Sequence, residues 1–185
     1  MRSALLIIDV QNGILRGLGP AGRQAVLDAA LDETVRRIQQ VQQRARDAGT
    51  PVILVQNDGE PGHRLAVDSE GWRLREEIRP LLGEPVVRKT ACDSFYETDL
   101  ADQLKRREIT HLVIGGCMTQ YCVDTTCRRA VTLGYDVTLL ADGHMTADSG
   151  GLTYGQIIAH HNALLDGFDA GKNWIGLAAA ADVKF

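Results

Sequence analysis

The run Ala4-Leu5-Leu6-Ile7-Ile8-Asp9-Val10-Gln11 decides the fold. Five apolar residues in succession, with no polar alternation, fit a strand buried on both faces, as in a parallel sheet covered by helices. Four more apolar runs follow at residues 52–55, 86–87, 112–114 and 137–140. Between the first two, Leu27, Leu31, Val35, Ile38, Val41 and Ala45 recur every three or four residues, the buried stripe of a long helix stopped by Gly49 ahead of Pro51. A second helix is predicted from near Thr98, with Leu100 and Leu104 inward, and a third over about 121–132, closed by Gly134. An amphipathic segment at 154–165 is expected to cover the sheet, and 174–177 to add a last edge strand. Alternating strands and helices with right-handed crossovers imply a three-layer α/β domain with a mainly parallel sheet. The stretch 57–84 breaks the rhythm, with only a short helical pattern around 72–82. Irregular connections of that length are often binding loops or lids.

At 185 residues the chain is read as one domain, 1–185, with room for a sizeable core. Hydrophobic residues make up 44% and charged residues 24%, the balance of a folded globular protein and not of a disordered one. A net charge of −4, with no basic run longer than Lys105-Arg106-Arg107, argues against a nucleic-acid partner. The first apolar run is too short for a signal-peptide core or a membrane span, so the expected location is cytoplasmic, without a membrane partner. Cys92, Cys117, Cys122 and Cys127 are then expected as reduced thiols. The five-residue spacing of the last three matches no zinc motif, and no metal or other cofactor is expected.

Three of the apolar runs lead into reactive side chains. Asp9 ends the first, Lys89 follows Val86-Val87-Arg88, and Cys122 follows Gly115-Gly116-Cys117-Met118-Thr119-Gln120-Tyr121. Open parallel sheets bind ligands beyond the carboxyl ends of their strands, so the three are expected at one sheet edge. There Cys122 would occupy the first turn of a helix, whose free N–H groups favour a thiolate. Asp9 is placed to accept the thiol proton, and Lys89 to hold acid and thiol in their charged forms. Amides of Cys122 and of Met118 or Thr119 are candidate donors to an oxyanion. This pattern reads as a cysteine hydrolase that needs no histidine. Plainer readings stand beside it: a cysteine at a helix start is more often a small buried residue, an aspartate closing a strand is often a turn former, and a lysine there is usually solvated.

Taken together, Ala4 to Asn12, then Val87-Arg88-Lys89 with Asp93-Ser94-Phe95 and Thr98-Asp99-Leu100, then Gly115 to Thr126, resemble the isochorismatase-like cysteine hydrolase superfamily. The resemblance spans nearly the whole chain, in order. It implies a Rossmann-like fold with a six-stranded, mostly parallel sheet, commonly assembled as a homodimer or homotetramer. It also implies a catalytic triad of Asp9, Lys89 and Cys122, a cis peptide at Cys117–Met118, and an oxyanion hole from the Met118 and Cys122 amides. Nicotinamidases of the superfamily carry an Asp-x-His metal motif after the second strand. Here Gln56-Asn57-Asp58-Gly59-Glu60 stands in that place, with His63 alone, which speaks against such a metal site. Cys92 stands where relatives often have an aromatic residue. In motif the chain is most similar to the streptothricin hydrolase-like branch, which opens a cyclic amide.

The expected activity is hydrolysis of a C–N bond in a small amide or lactam through a Cys122 thioester. The alternatives are vinyl ether hydrolysis with Asp9 as general acid, or a catalytically silent binding homologue. Gln11, Trp72, Phe95 and Tyr121 are candidate pocket walls. His160 and His161 read as satisfied core or interface histidines. His144 is a candidate at the border of the site, although Asp142-Gly143 reads simply as a turn.

Overall fold

The computed structural model describes residues 2–185. Its sheet contains seven strands: β1 (Ser3–Ile8), β2 (Val52–Asn57), β3 (Val86–Lys89), β4 (His111–Cys117), β5 (Asp136–Met145), β6 (Asp169–Ala170) and β7 (Asn173–Ala178). They lie in the order β3-β2-β1-β4-β5-β7-β6, all pairs parallel except β6 with β7. Chain order reverses between β1 and β4, which makes their C-terminal ends the crevice where such sheets take ligands. The strand count exceeds the expected six by β6. This two-residue strand folds back on β7 through Gly171, at φ 72°, and Lys172, so β7 lies inside the edge and β6 forms it.

Alternate residues of β1 explain why its run is wholly apolar. Leu5 and Ile7 join one buried cluster with α1 (Gln24–Asp47), through the expected stripe from Leu27 to Ala45. Ala4, Leu6 and Ile8 join a second cluster on the opposite face, with α2 (Leu100–Arg106) and α3 (Asp124–Thr132). The last helix, α4 (Tyr154–Leu165), starts with a capping box in which Thr153 and Gln156 satisfy each other's amides. It covers the β5–β7 side of the sheet. Ile157 and Leu165 are its buried residues, and α4 packs on β5, β7 and residues 119–123.

Three local expectations are corrected. The third helix does not begin at Tyr121: a π-helical turn, Thr119–Val123, precedes α3. Asp142-Gly143 is not a turn, because β5 runs through it with a register shift against β4 that brings His144 opposite Gly116. The helical pattern at 72–82 reduces to a 3₁₀ turn, Glu76–Ile78. Among the described residues no helix is long and apolar enough to cross a membrane.

Candidate active site

Three strand ends bring Asp9, Lys89 and Cys122 together. At the end of β1 the chain turns sharply, with Asp9 at φ 51°, a left-handed conformation that aspartate tolerates better than most residues. The Asp9 amide still bonds to Val55 O on β2 at 3.0 Å. Lys89 ends β3, two strands away, and its four-carbon stem reaches across the end of β2. Its ammonium lies 2.7 Å from Asp9 Oδ2 and donates to Ala91 O at 2.8 Å and to Cys122 Sγ at 3.3 Å. The contact with Asp9 is an ion pair more than an aligned hydrogen bond, and Asp9 Oδ1 has no partner among the described residues. Both side chains are buried, so each charge depends on the other. Between β1 and β4 the backbones touch: a Cβ on Gly116, which sits at φ 130°, would meet Ile8 O at 2.0 Å. Only glycine allows β4 to deliver its loop that close to Asp9.

Beyond β4 the peptide Cys117–Met118 is cis, as the resemblance implies. The Met118 carbonyl then accepts both the Tyr121 and Val123 amides, at 3.1 and 3.2 Å, skipping that of Cys122 between them. Cys122 therefore sits inside a π turn and not on a bare helix N-terminus. The expected lowering of its thiol pKa is overturned: burial pushes the thiol up, and the Asp9 carboxylate adds to this against the opposing pull of Lys89. Burial also raises the Asp9 carboxyl, partly offset by Lys89. Burial alone would lower Lys89, but Asp9 and Cys122 outweigh it and hold the ammonium above its ordinary value. Cys117 and Cys127 are buried with thiols pushed up by their surroundings, and all four cysteines are free.

The candidate pocket walls separate into two kinds. Gln11 is fully buried and spent on the backbone: its amide donates to Asn57 O at 3.0 Å and Trp72 O at 2.7 Å and accepts the Asn57 N–H at 3.0 Å. It is a clamp for the loop after β2, not a wall. Phe95 turns into the core cluster beneath α3 and stacks on Tyr135 with 6.0 Å between ring centres. Trp72 donates to Asp58 Oδ1 at 2.8 Å, with the Arg88 guanidinium 4.6 Å over its ring. Arg88 in turn grips Asp58 at 2.6 and 2.8 Å. The carboxylate standing where a metal motif would lie is thus engaged, and among the described residues no group of three or more His, Cys, Asp or Glu converges as a metal site would. Tyr121, next to the thiol, is about half exposed.

Of two further features, sequence reasoning named the first only as a border candidate and missed the second. His144 is buried within a short relay. Asn162 Nδ2 donates to Ala141 O at 2.8 Å, which points Asn162 Oδ1 at His144 Nε2, 2.9 Å away. His144 then carries its proton on Nε2, and Nδ1 accepts from the Thr119 hydroxyl at 2.9 Å. Burial lowers this histidine, keeping it neutral. The relay ties α4 to the first residue of the π turn. Reading Asp142-Gly143 as a turn hid that β5 carries His144 to the Thr119 hydroxyl. Arg64 is the second. It packs beside Met118, its charge acts on the Cys122 thiol, and nothing in its irregular loop announces it. His160 is exposed on α4, and half-buried His161 bonds to Ile157 O in its own helix, so neither enters the site.

Comparison with known proteins places the chain in a family. The chain is 40% identical over 145 residues to a streptothricin hydrolase of Streptomyces noursei, covering 78% of this chain and 55% of that protein. It therefore spans about half the length of the streptothricin hydrolases it matches. It is 29% identical over 169 residues to the ureidoacrylate amidohydrolase RutB of Variovorax paradoxus, covering 76% of this chain and 67% of that protein. The crystal structure of an isochorismatase from Pseudomonas putida KT2440 superposes with a TM-score of 0.85 at 29% identity, over 98% of this chain and 90% of the other. Residues 3–155 match the isochorismatase domain, and the chain belongs to the isochorismatase family.

Proposed function

We propose that the chain hydrolyses a C–N bond of a small amide or lactam, with Cys122 as nucleophile. The observation that carries this reading is the contact of Lys89 with both Asp9 and Cys122 at the crevice between β1 and β4. Support for amide chemistry comes from the similarity to a streptothricin hydrolase and an amidohydrolase. As the Cys122 sulfur bonds to the substrate carbonyl carbon, its proton passes to Asp9, whose raised pKa suits it to take that proton from a raised thiol. The carbonyl oxygen gains negative charge, received by the Met118 and Cys122 amides. Collapse breaks the C–N bond, and Asp9 returns the proton to the leaving nitrogen. Water attacks the thioester, losing a proton to Asp9; the C–S bond breaks, and that proton restores the thiol. Lys89 stays charged throughout and stops Asp9 and the developing thiolate from repelling each other.

The test is a screen of small amides and lactams against wild type, Cys122→Ser and Cys127→Ala, with mass spectrometry to trap the acyl-enzyme. Turnover is expected in wild type and Cys127→Ala, with an acyl mass on the peptide carrying Cys122. Full turnover by Cys122→Ser would overturn the thiol mechanism.

A further inference from the structure

Strand β5 reaches His144 through an irregularity. Against β4 it pairs Leu139 with Ile114 and then His144 with Gly116, so residues 140–143 bulge opposite Gly115 alone. Two glycines make room for this: a Cβ on Gly115 would meet Gly143 O at 2.7 Å, and one on Gly143 would meet Leu140 Cβ at 2.6 Å. Bulges re-aim side chains, and the one re-aimed here is a histidine with 1% of its surface exposed. Both of its ring nitrogens are engaged. Ala141 O can only accept, so Asn162 faces it with Nδ2 and faces His144 with Oδ1; the imidazole then donates from Nε2 and accepts the Thr119 hydroxyl at Nδ1. Buried polar relays impose a single rigid arrangement when their members are satisfied in this way.

The relay ends on the segment that approaches the thiol. Thr119 follows directly on Met118, whose amide is a proposed oxyanion donor. The Met118 carbonyl accepts from Tyr121 and Val123, and the Thr119 carbonyl accepts from Asp124. These bonds are internal to the π turn, so they set its shape and not its place. The Thr119 hydroxyl adds an external anchor, to β5 through His144 and to α4 through Asn162. A preorganised donor stabilises developing charge only when it is already aimed, to within about 0.5 Å. Building on the thiol reading above, we propose that His144, held between Asn162 and Thr119, is a positioning residue that fixes the Met118 amide where the oxyanion forms. His144 touches neither the thiol nor the substrate; it acts through Thr119. The bulge in β5 and the docking of α4 are thereby coupled to the transition state and not to the nucleophile.

The experiment compares two electrophiles at Cys122. Acetylation by p-nitrophenyl acetate runs through a tetrahedral intermediate: the C–S bond forms, the carbonyl oxygen takes charge, the thiol proton passes to Asp9 and p-nitrophenolate leaves. Iodoacetamide loses iodide from a saturated carbon and makes no demand on an oxyanion donor. Both rates are followed at Cys122 by mass spectrometry in wild type, Asn162→Leu, Thr119→Val and Thr119→Ser. Losing a whole donor costs about 100- to 1000-fold, so a displaced one is expected to slow acetylation about tenfold in Asn162→Leu and in Thr119→Val. Thr119→Ser keeps the hydroxyl and is expected to acetylate as wild type does. Alkylation is expected at the wild-type rate in all three variants, which separates a misaimed donor from a disturbed fold. Acetylation unchanged in Asn162→Leu and Thr119→Val, or acetylation and alkylation falling together, would overturn the assignment and leave the thiol reading standing. No acetyl group on Cys122 of wild type would overturn both.

Discussion

The floor and the rim of the crevice are built by different rules. Asp9, Lys89 and the π turn carrying Cys122 are set by the ends of β1, β3 and β4, strands pinned by ladder hydrogen bonds, with the Asp9 and Lys89 side chains sealed from solvent. The rim, from Asp58 to Trp72, has no regular element and is held by side chains spent on backbone. Gln11 clamps Asn57 and Trp72, and Gly13 and Gly71 admit the Arg64 carbonyl where any Cβ would collide. A sheet thus places the reacting groups where a shift of register would cost the whole core. The rim can change residue by residue without disturbing them, which is how one scaffold carries many substrates.

This contrast breaks most visibly at the floor. Asp9→Asn is expected to lower kcat/KM about a thousandfold by removing the proton acceptor. It also strands Lys89 as a buried charge, with an expected stability loss of about 3–5 kcal/mol, read from thermal unfolding. If Asp9→Asn kept wild-type kinetics, the proposed role of the strand ends would be lost.

A rim substitution should act on stability and recognition while leaving the nucleophile alone. Gly71→Ala forces the Arg64 carbonyl to move, at an expected cost of about 1–3 kcal/mol in thermal or denaturant unfolding. The rate of Cys122 labelling by iodoacetamide is expected to stay at the wild-type level. A large fall in that rate would show that floor and rim are one unit.

The smallest effect sharpens the floor alone. Asp9 accepts a proton only when ionised, and burial raises its pKa, so kcat/KM is expected to fall on the acid side through a value above the ordinary aspartate figure of about 3.9. Stability runs the other way. A carboxyl raised in the folded state contributes most below its unfolded pKa, and that contribution is lost as pH rises through the folded value. An acid limb at or below the ordinary figure would remove Asp9 from the proton path.

The floor was legible because burial on both faces of a parallel strand leaves an unbroken apolar run, and a charged residue at its end stands out. Residues 4–8, 52–55 and 112–114 carried that signal, and so did the stripe along α1. The two-residue β6 carried none, having no room for a period. Phe95 and Gln11 were misplaced because an aromatic or an amide near a strand end looks the same whether it faces ligand or core. His144 was named at the border of the site without its partners, because a bulged strand through Asp142-Gly143 is written in the same letters as a turn.

The sequence by itself determined the α/β class and the three residues brought to one edge, since periodicity and strand-end position are local properties of the chain, and its three motifs carried the family resemblance. Tertiary structure alone decided the burial of the thiol beside Asp9 and Lys89, the relay from Asn162 through His144 to Thr119, and the place of Arg64 against Met118. Each of these depends on which groups are desolvated together, and that follows from contacts between segments far apart in the chain.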